Sequence, residues 1–408
     1  MKVYLVGIGM EGEKTLTYEA RNAIDEADVL IGAERMLRTF NDLDKQMFSS
    51  YKAEEIVAYI DKSKNKCAAI LLSGDIGFYS GAKKLYELLS QHELHTVSGI
   101  SSPIYLAGKV GVPWENMKFV SLHGIGNNIA IHVRRNRYCF FLLGGNITAE
   151  ELCKKLCGYN LPRVKVYIGE DLGYPDEKIH SGTAEELTAV KTAHLSVLIT
   201  ENPDYTERLP FIIPESEFYH EAVEKHVPIT KAEIRKFVVS SLEIKHDDIC
   251  WEIGSGTGAT TVEMAWNCPD GAVYTIDKQE PACTLTDINA HKFSCDNIFS
   301  FIGNGADLPD VFPVPDKVFI GGSSGALKTI VYTALSKNPN VRIAVTAVTL
   351  ETLNNALQVF TQFGLEQNIT QLAVTRTNKI GSYTMFNALN PIFLIWGEKN
   401  EKIHNIGD

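Results

Sequence analysis

The sequence predicts an α/β protein built from two unlike domains, and three observations support this prediction. The chain has 408 residues, which is more than one hydrophobic core usually organises. In both halves, short apolar segments end in glycine or serine and alternate with helix-forming stretches, a pattern typical of sheets flanked by helices. A proline-spaced segment lies between the halves. We therefore expect domains at residues 1–203 and 215–408, joined by a linker at 204–214.

The most informative segment of the second half joins a predicted strand to a predicted helix through three glycines. Residues 249–253 have the apolar character of a buried strand, and Gly254, Gly256 and Gly258 follow directly. Such a loop leaves backbone N–H groups free to face a ligand. Asp277 ends the next predicted strand, about 20 residues further on, where an acidic residue commonly binds the two hydroxyl groups of a ribose. The pattern therefore predicts a nucleotide-type cofactor site.

Two classes of cofactor fit this loop. It satisfies the dinucleotide fingerprint if Ala259 takes the place of the last glycine, and it fits the loop of S-adenosylmethionine-dependent methyltransferases because Glu252 precedes it. The remaining strands favour the methyltransferase. Five predicted parallel strands precede a final pair, at 369–375 and 391–396, that suits an antiparallel addition to the sheet. A dehydrogenase would be expected to show a second mononucleotide-binding half instead.

Composition and charge exclude several other classes of protein. The formal net charge of −11 argues against a surface that coats nucleic acid. No apolar run approaches the ~18 residues that a membrane span requires, and the start of the chain has the pattern of a strand, not of a signal peptide. The eight cysteines form no C-x-x-C pair and have no matching histidine spacing. We therefore expect no metal site, free thiols and a cytoplasmic location.

The first half is predicted to be an α/β domain whose ligand loops gather at the carboxyl ends of its strands. Its first loop, with Gly7, Gly9 and Gly12, resembles a dinucleotide fingerprint, but Asp28 precedes the next apolar segment where the ribose-binding acid should follow it. We therefore reject a dinucleotide site there. Later strands, such as the one at 68–72, also end in small polar residues.

Two helix starts carry capping signals. Thr148 is expected to cap the helix that follows it. Thr230, with Glu233 three positions later, has the pattern of a capping box for a helix from about Ala232 to Leu242.

The motifs of each half are specific enough to suggest a family. Those of the first half are Gly7-Ile8-Gly9, Leu72-Ser73-Gly74-Asp75 followed by Phe78-Tyr79, Ser98-Gly99-Ile100-Ser101-Ser102, Ser121-Leu122-His123-Gly124 and Ser181-Gly182-Thr183-Ala184. They resemble the tetrapyrrole methylases, in the branch that acts on carbon-5 of precorrins. Those of the second half are Pro228-Ile229-Thr230-Lys231 with Glu233 and Arg235, Trp251 to Gly258, Phe319-Ile320-Gly321-Gly322-Ser323 and Ala344 to Glu351. They resemble the enzymes that methylate carbon-15 and decarboxylate an acetate side chain. Together the halves resemble the fused precorrin methyltransferases of cobalamin biosynthesis.

This resemblance implies a two-lobed tetrapyrrole methylase fold followed by a Rossmann-like methyltransferase fold of seven strands. It also implies that each domain binds S-adenosylmethionine and releases S-adenosylhomocysteine. In the first domain the implied cofactor contacts are Gly7, Gly9, Asp75, Phe78, Ser101 and Ser102. In the second domain they are Thr230, Gly254, Ser255, Gly256, Thr257, Gly258, Asp277, Asn304 and Gly305.

The implied reaction also suggests residues that meet the substrate. In the first domain these are Tyr79 and His123. Loss of carbon dioxide needs a positioned acid or cation, for which Glu351 and Arg235 are the candidates. The implied substrate carries several carboxylates, so local cations are needed. The densest cluster is Arg134, Arg135 and Arg137, although such a run is more often a solvated surface.

The implied partners are a small-molecule tetrapyrrole and further copies of the chain, with no nucleic acid and no membrane. The stretch from Ile76 to Ser80 favours a cobalt-bearing substrate over a metal-free one. Three alternatives stay open: an NAD-dependent oxidoreductase that uses residues 254–259, an RNA methyltransferase, and a half that binds its cofactor without catalysis.

Overall fold

The computed structural model describes residues 1–10, 12–122, 128–144, 147–192, 195–220 and 227–399. The chain divides into two compact units. The first consists of residues 1–125, 136–154 and 162–203, and the second of residues 126–135, 155–161 and 204–408. Within the ranges described, no helix combines the length and apolar character that crossing a bilayer would require.

The first unit contains a parallel sheet of five strands. They are β1 (Lys2–Gly7), β2 (Val29–Gly32), β3 (Gln46–Ser49), β4 (Cys67–Leu72) and β5 (Glu93–Val97), in the order β3-β2-β4-β1-β5. The helices of this part are α1 (Gly12–Thr15), α2 (Tyr18–Glu26), α3 (Glu34–Leu37), α4 (Ala53–Lys62), α5 (Ala82–Leu88) and α6 (Ser102–Val110), and a short 3₁₀ helix spans Arg38–Phe40. Val6 packs in a cluster with Ile24 of α2, whereas Leu5 packs with Ile60 of α4. Both faces of the sheet are therefore buried, which explains the nearly continuous apolar strands.

The first unit also contains a mixed sheet of five strands. They are β6 (Lys118–Ser121), β7 (Tyr138–Leu142), β8 (Lys165–Glu170), β9 (Lys178–Thr183) and β10 (Ser196–Glu201), in the order β6-β7-β10-β8-β9. Only the β6–β7 pair is parallel. The chain also forms α7 (Ala130–Arg135) and α8 (Ala149–Gly158). The predicted cap of α8 is confirmed, because the Thr148 hydroxyl accepts from the Glu151 N–H at 3.2 Å and the Glu151 carboxylate accepts from the Thr148 N–H at 2.8 Å.

The second unit has the seven-stranded sheet that the sequence predicted. Its strands are β11 (Ile249–Ile253), β12 (Ala272–Asp277), β13 (Ile298–Ile302), β14 (Lys317–Ile320), β15 (Arg342–Ala347), β16 (Asn368–Leu372) and β19 (Ile392–Gly397), in the order β13-β12-β11-β14-β15-β19-β16. Its helices are α9 (Ala232–Leu242), α10 (Ala259–Asn267), α11 (Glu280–Lys292), α12 (Leu327–Lys337) and α13 (Leu350–Phe363), and a 3₁₀ helix spans Glu215–Glu217. Strand β19 is antiparallel to both β15 and β16, so β16 runs in the same direction as the parallel strands. The predicted final pair is therefore correct, but only β19 is antiparallel to the sheet.

Between β16 and β19 the chain forms a hairpin that the sequence analysis missed. Its strands are β17 (Thr375–Ile380) and β18 (Tyr383–Ala388), which pair only with each other. One strand was expected at 369–375, whereas β16 ends at Leu372 and β17 begins at Thr375. The turn is Gly381-Ser382, and Gly381 has φ +62°. A two-residue turn of this kind between two β-forming runs is a hairpin signal, which the sequence contains.

Arg376 of this hairpin is bound to two carboxylates, and this arrangement corrects the predicted capping box. Its guanidinium donates to Glu215 at 2.9 and 3.0 Å and to Glu233 at 3.0 Å. Glu233 is therefore not a capping residue. Lys231 is the N-cap of α9, without a side-chain cap, and the Ala232 N–H donates to Glu215 at 3.1 Å. Although burial alone would raise the pKa of Glu215, the hydrogen bonds from Arg376 and from backbone N–H groups lower it to about 2.

Candidate active sites

The loop after β11 has a backbone conformation that favours glycine at three positions. Gly254 has φ +86°, Gly256 has φ +54° and Gly258 has φ +76°, all in the left-handed region that disfavours side chains. A Cβ atom on Gly256 would also lie 2.7 Å from the carbonyl oxygen of Pro228. At Gly256 a side chain is therefore excluded by the neighbouring backbone of Pro228, and not only by the approach of a ligand. The loop turns between β11 and α10 and exposes its backbone to the cavity described below.

Asp277, at the end of β12, ties this loop to the neighbouring strand. One of its carboxylate oxygens accepts from the Gly256 N–H at 3.1 Å, and the other accepts from the Gln279 N–H at 2.9 Å. A carboxylate has about four acceptor positions, so these two bonds leave capacity for a ligand. The half-buried carboxylate lies in the lining of the cavity, which is where a ribose-binding acid should be.

These loops surround a cavity of about 400 Å³ at the carboxyl ends of β11, β12, β13 and β14. Of the predicted cofactor contacts, it is lined by Thr230, Gly254, Ser255, Gly256, Asp277, Asn304 and Gly305. The hydroxyl of Ser255 is buried and has no hydrogen-bond partner among the residues that the structure describes. A buried hydroxyl without a partner costs free energy, and a polar ligand in the cavity could satisfy it. The donors, the carboxylate and the glycine loop together fit an adenosyl cofactor.

The first unit has a cavity of about 520 Å³, also beside the carboxyl ends of its parallel strands. The loop after β4 supports it. Gly9 and Gly74 exchange two backbone hydrogen bonds, at 3.1 and 2.8 Å. The carboxylate of Asp75 accepts from the Gly77 N–H at 2.8 Å and from the Gly99 N–H at 3.0 Å. Asp75 therefore holds the loops after β4 and β5 together.

The lining of this first cavity includes five of the predicted residues: Asp75, Phe78, Tyr79, Ser101 and Ser102. It also includes residues that the sequence analysis did not select. Arg35, at the start of α3, donates to the hydroxyl of Tyr174 at 3.1 Å, and both side chains line the cavity. Met10 lies there as well. Arg35 and Tyr174 are far apart in sequence, so no local pattern could have paired them.

Comparisons with known proteins agree with this geometry. The profile of the family described as "Precorrin methyltransferase domain" matches residues 221–399. A probable cobalt-precorrin-6B C(15)-methyltransferase (decarboxylating) of Pyrobaculum calidifontis is 34% identical over 171 residues, which are 41% of this chain and 88% of that protein. A protein of the same description from Saccharolobus solfataricus is 38% identical over 192 residues, which are 46% of this chain and 95% of that protein. This chain belongs to the precorrin methyltransferases.

The first half of this precorrin methyltransferase matches a second family. The profile described as "Tetrapyrrole (Corrin/Porphyrin) Methylases" covers residues 2–188. Apart from the two profiles, a solved structure resembles part of the whole chain: the precorrin-6y C5,15-methyltransferase from Geobacter metallireducens is 29% identical, and the match covers 47% of this chain and 98% of that one. Its TM-score of 0.43 is too low to support an inference. The two profiles lie in the order that the motifs predicted, and the predicted assignment to a fused methyltransferase is confirmed.

Several predicted contacts do not line the two cavities. Gly7 and Gly9 are buried where backbones meet, since a Cβ on Gly7 would lie 2.7 Å from the Gly99 nitrogen and one on Gly9 would lie 2.4 Å from the Thr15 hydroxyl. In the second unit, Thr257 and Gly258 are also outside the lining. A Cβ on Gly258 would lie 2.7 Å from the α carbon of Thr286, so this glycine serves the packing of α10.

The candidate catalytic residue Arg235 has a structural role, which corrects the prediction for it. Its side chain is fully buried. The guanidinium donates to Glu263 at 2.8 Å and to the carbonyl oxygens of Thr230 and Ile213, and it lies 4.9 Å from the ring centroid of Phe218. Each guanidinium nitrogen thus has a partner within the fold. Arg235 does not line the cavity.

The other candidates for substrate contact have different placements. Glu351 is exposed in the first turn of α13, outside the cavity lining, and Tyr79 is exposed at the edge of the first cavity. His123 lies outside the described residues. The arginines of the run at 134–137 line neither cavity.

Glu252 of β11 is a buried carboxyl close to the glycine loop, and it makes the stability of the second unit depend on pH. Burial raises the pKa of Glu252 from 4.5 to about 8, the hydrogen bond from Thr261 lowers it in part, and Asp277 raises it further. The folded state therefore keeps a proton that the unfolded state loses above pH 4.5. The contribution of Glu252 to the free energy of unfolding is fully present below pH 4.5, falls as the pH rises to about 8, and stays constant above that pH.

We therefore expect Glu252→Gln to stabilise the protein at high pH but not at low pH. The amide can still accept from Thr261 and carries no charge to desolvate. The gain should be near zero at pH 4.5 and about 2–4 kcal/mol at pH 9. Thermal denaturation of both proteins at the two pH values measures this difference. A gain of the same size at both would contradict the account.

Proposed function

We propose that this chain is a bifunctional enzyme that methylates carbon-5 and carbon-15 of a precorrin and decarboxylates the ring C acetate, in cobalamin biosynthesis. The second unit would perform the carbon-15 methylation and the decarboxylation, and the first unit the carbon-5 methylation. The observation that carries the proposal is that each unit has its own cavity, lined by loops at the carboxyl ends of its parallel strands.

The second unit has the stronger support. The precorrin methyltransferase profile matches residues 221–399, and relatives of the chain are described as decarboxylating C(15)-methyltransferases of cobalt-precorrin-6B. A cobalt-bearing substrate is therefore our first choice. The cavity supplies Asp277 for ribose hydroxyls, the unpartnered hydroxyl of Ser255, and backbone N–H groups of the glycine loop.

S-adenosylmethionine supplies an electrophilic methyl group when bound, so the residues of the chain mainly need to position substrate and exclude water. In the second cavity, Thr230, Gly254, Gly256, Asn304 and Gly305 would contact the cofactor. In the first cavity, Asp75 and Phe78 with Ser101 and Ser102 would do so. Decarboxylation breaks the bond between the acetate methylene and its carboxylate and releases carbon dioxide. The electron pair passes into the conjugated ring, and a proton then added to the methylene carbon leaves a methyl group. Lys231 and Lys278 line the second cavity and would supply positive charge for that step.

Incubation with cobalt-precorrin-6B, and separately with its metal-free counterpart, tests the proposal. We expect two methyl groups and one carbon dioxide per substrate, and S-adenosylhomocysteine as the coproduct. Mass spectrometry follows the methyl count, and carbon dioxide release is measured in parallel. Retention of a nicotinamide cofactor, or binding of only one S-adenosylmethionine per chain in calorimetry, would contradict it.

We also propose that the enzyme assembles from copies of itself through the β17–β18 hairpin. Ile380, Tyr383 and Met385 share one face, with 64%, 74% and 51% of each side chain exposed. Phe386 is 84% exposed on the other face. A two-stranded hairpin is marginally stable alone, and both of its outer edges lack a partner strand within the part of the chain described. A second copy would cover these apolar groups.

The double variant Tyr383→Asp with Phe386→Asp places a charge on each face of the hairpin. We expect it to lower the molar mass measured by light scattering to that of one chain, without loss of the thermal transition. Gln362→Asp, an exposed position on α13, is the matched control and should keep the assembly. An unaltered molar mass in the double variant, or a wild-type protein that is monomeric, would rule out this interface.

The cysteines and the net charge support two further proposals, on the cell compartment and on the kind of substrate. No cysteine in the described part of the chain forms a disulfide bond, and we propose a cytoplasmic enzyme. The net charge of −11 supports a small-molecule substrate and no nucleic acid.

A further inference from the structure

The first unit has a further cavity, of about 480 Å³, next to the cavity that is assigned above to its cofactor. Ser73 and Tyr79 line both cavities. This further cavity also lies at the carboxyl ends of parallel strands, because its lining includes Gly32 at the end of β2, Ser50 after β3, and Leu72 at the end of β4. Crevices at this edge of a parallel sheet are where α/β proteins bind ligands. We call it the outer cavity.

Tyr79 stands between the two cavities in an uncommon backbone conformation. Its φ is +45°, in the left-handed region, where a bulky residue costs about 1–2 kcal/mol. The ring is nevertheless 58% exposed, so burial of the side chain does not repay this cost. Backbone strain of this kind is common at ligand sites. Tyr51, which is 81% exposed, lines the outer cavity too. The lining thus includes two largely exposed tyrosines, a residue type that packs well against a flat ligand.

Two lysines give the outer cavity its positive charge. Lys52 pairs with Glu55 at 2.9 Å, and Lys84 pairs with Glu54. Both lysine side chains are 58% exposed. Exposed ion pairs of this kind contribute only about 0–1 kcal/mol, so a carboxylate of a ligand can replace the glutamate at little cost. Glu54 itself lines the cavity and must be displaced from Lys84. The apolar wall is supplied by Met36, Ile56, Ile70, Leu71 and Leu85.

We propose that the outer cavity binds the carboxylate-bearing macrocycle for methylation by the first unit, with Tyr79 and Tyr51 against the ring and Lys52 and Lys84 on its carboxylates. This inference rests on the proposed function and assigns the substrate subsite within it. The shared lining by Tyr79 and Ser73 places the ring beside the cofactor cavity, as transfer of a methyl group between them requires.

Kinetics of the full chain test this proposal. Lys52→Met and Lys84→Met should each raise KM for carbon-5 methylation about 5- to 20-fold, with little change in kcat, since one charge-assisted contact is lost. Added salt should raise the wild-type KM and should affect the double variant less. Tyr79→Leu should raise KM about tenfold, whereas Tyr79→Phe, which keeps the aromatic face, should restore it. Carbon dioxide release by the second unit should be unchanged in every variant.

Lys83→Met is the matched control, because Lys83 is exposed on the same helix as Lys84 and does not line the outer cavity. If both lysine variants behave like this control while the wild type methylates carbon-5, the outer cavity is not the substrate subsite. A wild-type chain that methylates no precorrin would overturn the proposed function itself. Equal loss of carbon-5 methylation and of carbon dioxide release would point to general unfolding and would also contradict the assignment.

Discussion

Replacement of Asp277 by alanine should abolish carbon-15 methylation and decarboxylation while carbon-5 methylation continues. The carboxylate holds the glycine loop through the Gly256 N–H and is the group expected to bind the cofactor ribose. The variant loses the two charge-assisted hydrogen bonds that the carboxylate is expected to accept from the ribose hydroxyl groups. At about 1.5–3 kcal/mol each, their loss lowers kcat/KM at least about 100-fold. Carbon dioxide release and the methyl count of the product, measured on the same sample, report the two activities.

Asp75→Ala is the reciprocal variant and should give the opposite result. Without its carboxylate, the N–H groups of Gly77 and Gly99 lose their acceptor, and the loops around the first cavity lose their connection. Carbon-5 methylation should then fail while carbon dioxide is still released. Asp307→Ala, at an exposed position outside the second cavity, should leave all products unchanged. If Asp277→Ala and Asp75→Ala impaired the same product, the division of labour between the units would be wrong.

Replacement of Arg235 by methionine should destabilise the second unit by about 3–5 kcal/mol, because it leaves the buried carboxylate of Glu263 without its closest cation. Lys236 compensates in part, because its Nζ lies 3.3 Å from Oε2 of Glu263. Two backbone carbonyls, those of Thr230 and Ile213, also lose a donor. Thermal denaturation measures the effect as a lower transition temperature.

The double variant Arg235→Met with Glu263→Leu separates structure from chemistry. It removes both buried charges, so much of the lost stability should return. Because Arg235 does not line the cavity, the double variant should release carbon dioxide at temperatures where it is folded. A stable Arg235→Met protein that no longer decarboxylates would restore Arg235 as a catalytic residue.

The sequence contained enough information to predict the second unit and much of its site. Glycine-rich loops and terminal acids are local patterns, and Gly254, Gly256 and Asp277 lie in the cavity lining as those patterns indicated. The number of strands could be predicted because apolar strands alternate with helices along the chain. The order of the strands and the insertion of β19 between β15 and β16 were not predicted, because pairing between strands leaves no local pattern in the sequence.

The errors concern residues whose role depends on partners distant in sequence. The sequence suggests Arg235 as a cation for the decarboxylation, since nothing local shows that Glu263 and two carbonyl groups enclose it. The capping box at Thr230 failed because Arg376, more than 140 positions away, binds Glu233. Gly7 matches a cofactor loop, yet it serves a close approach to Gly99, which is more than 90 residues away.

The register of the last two strands of the large sheet bears on how the fold can vary. Leu372 at the end of β16 lies directly opposite Ile392 at the start of β19. The segment between β16 and β19, which contains the β17–β18 hairpin, therefore leaves and re-enters the sheet at neighbouring positions. Insertions, deletions or grafted sequences could change this segment without shifting a single pair of the surrounding ladder. Because β16 runs in the same direction as the parallel strands, this segment leaves the sheet at the edge where the cavity lies, and Ile392 lines that cavity. Selection can accordingly remodel the rim of the site without altering the sheet.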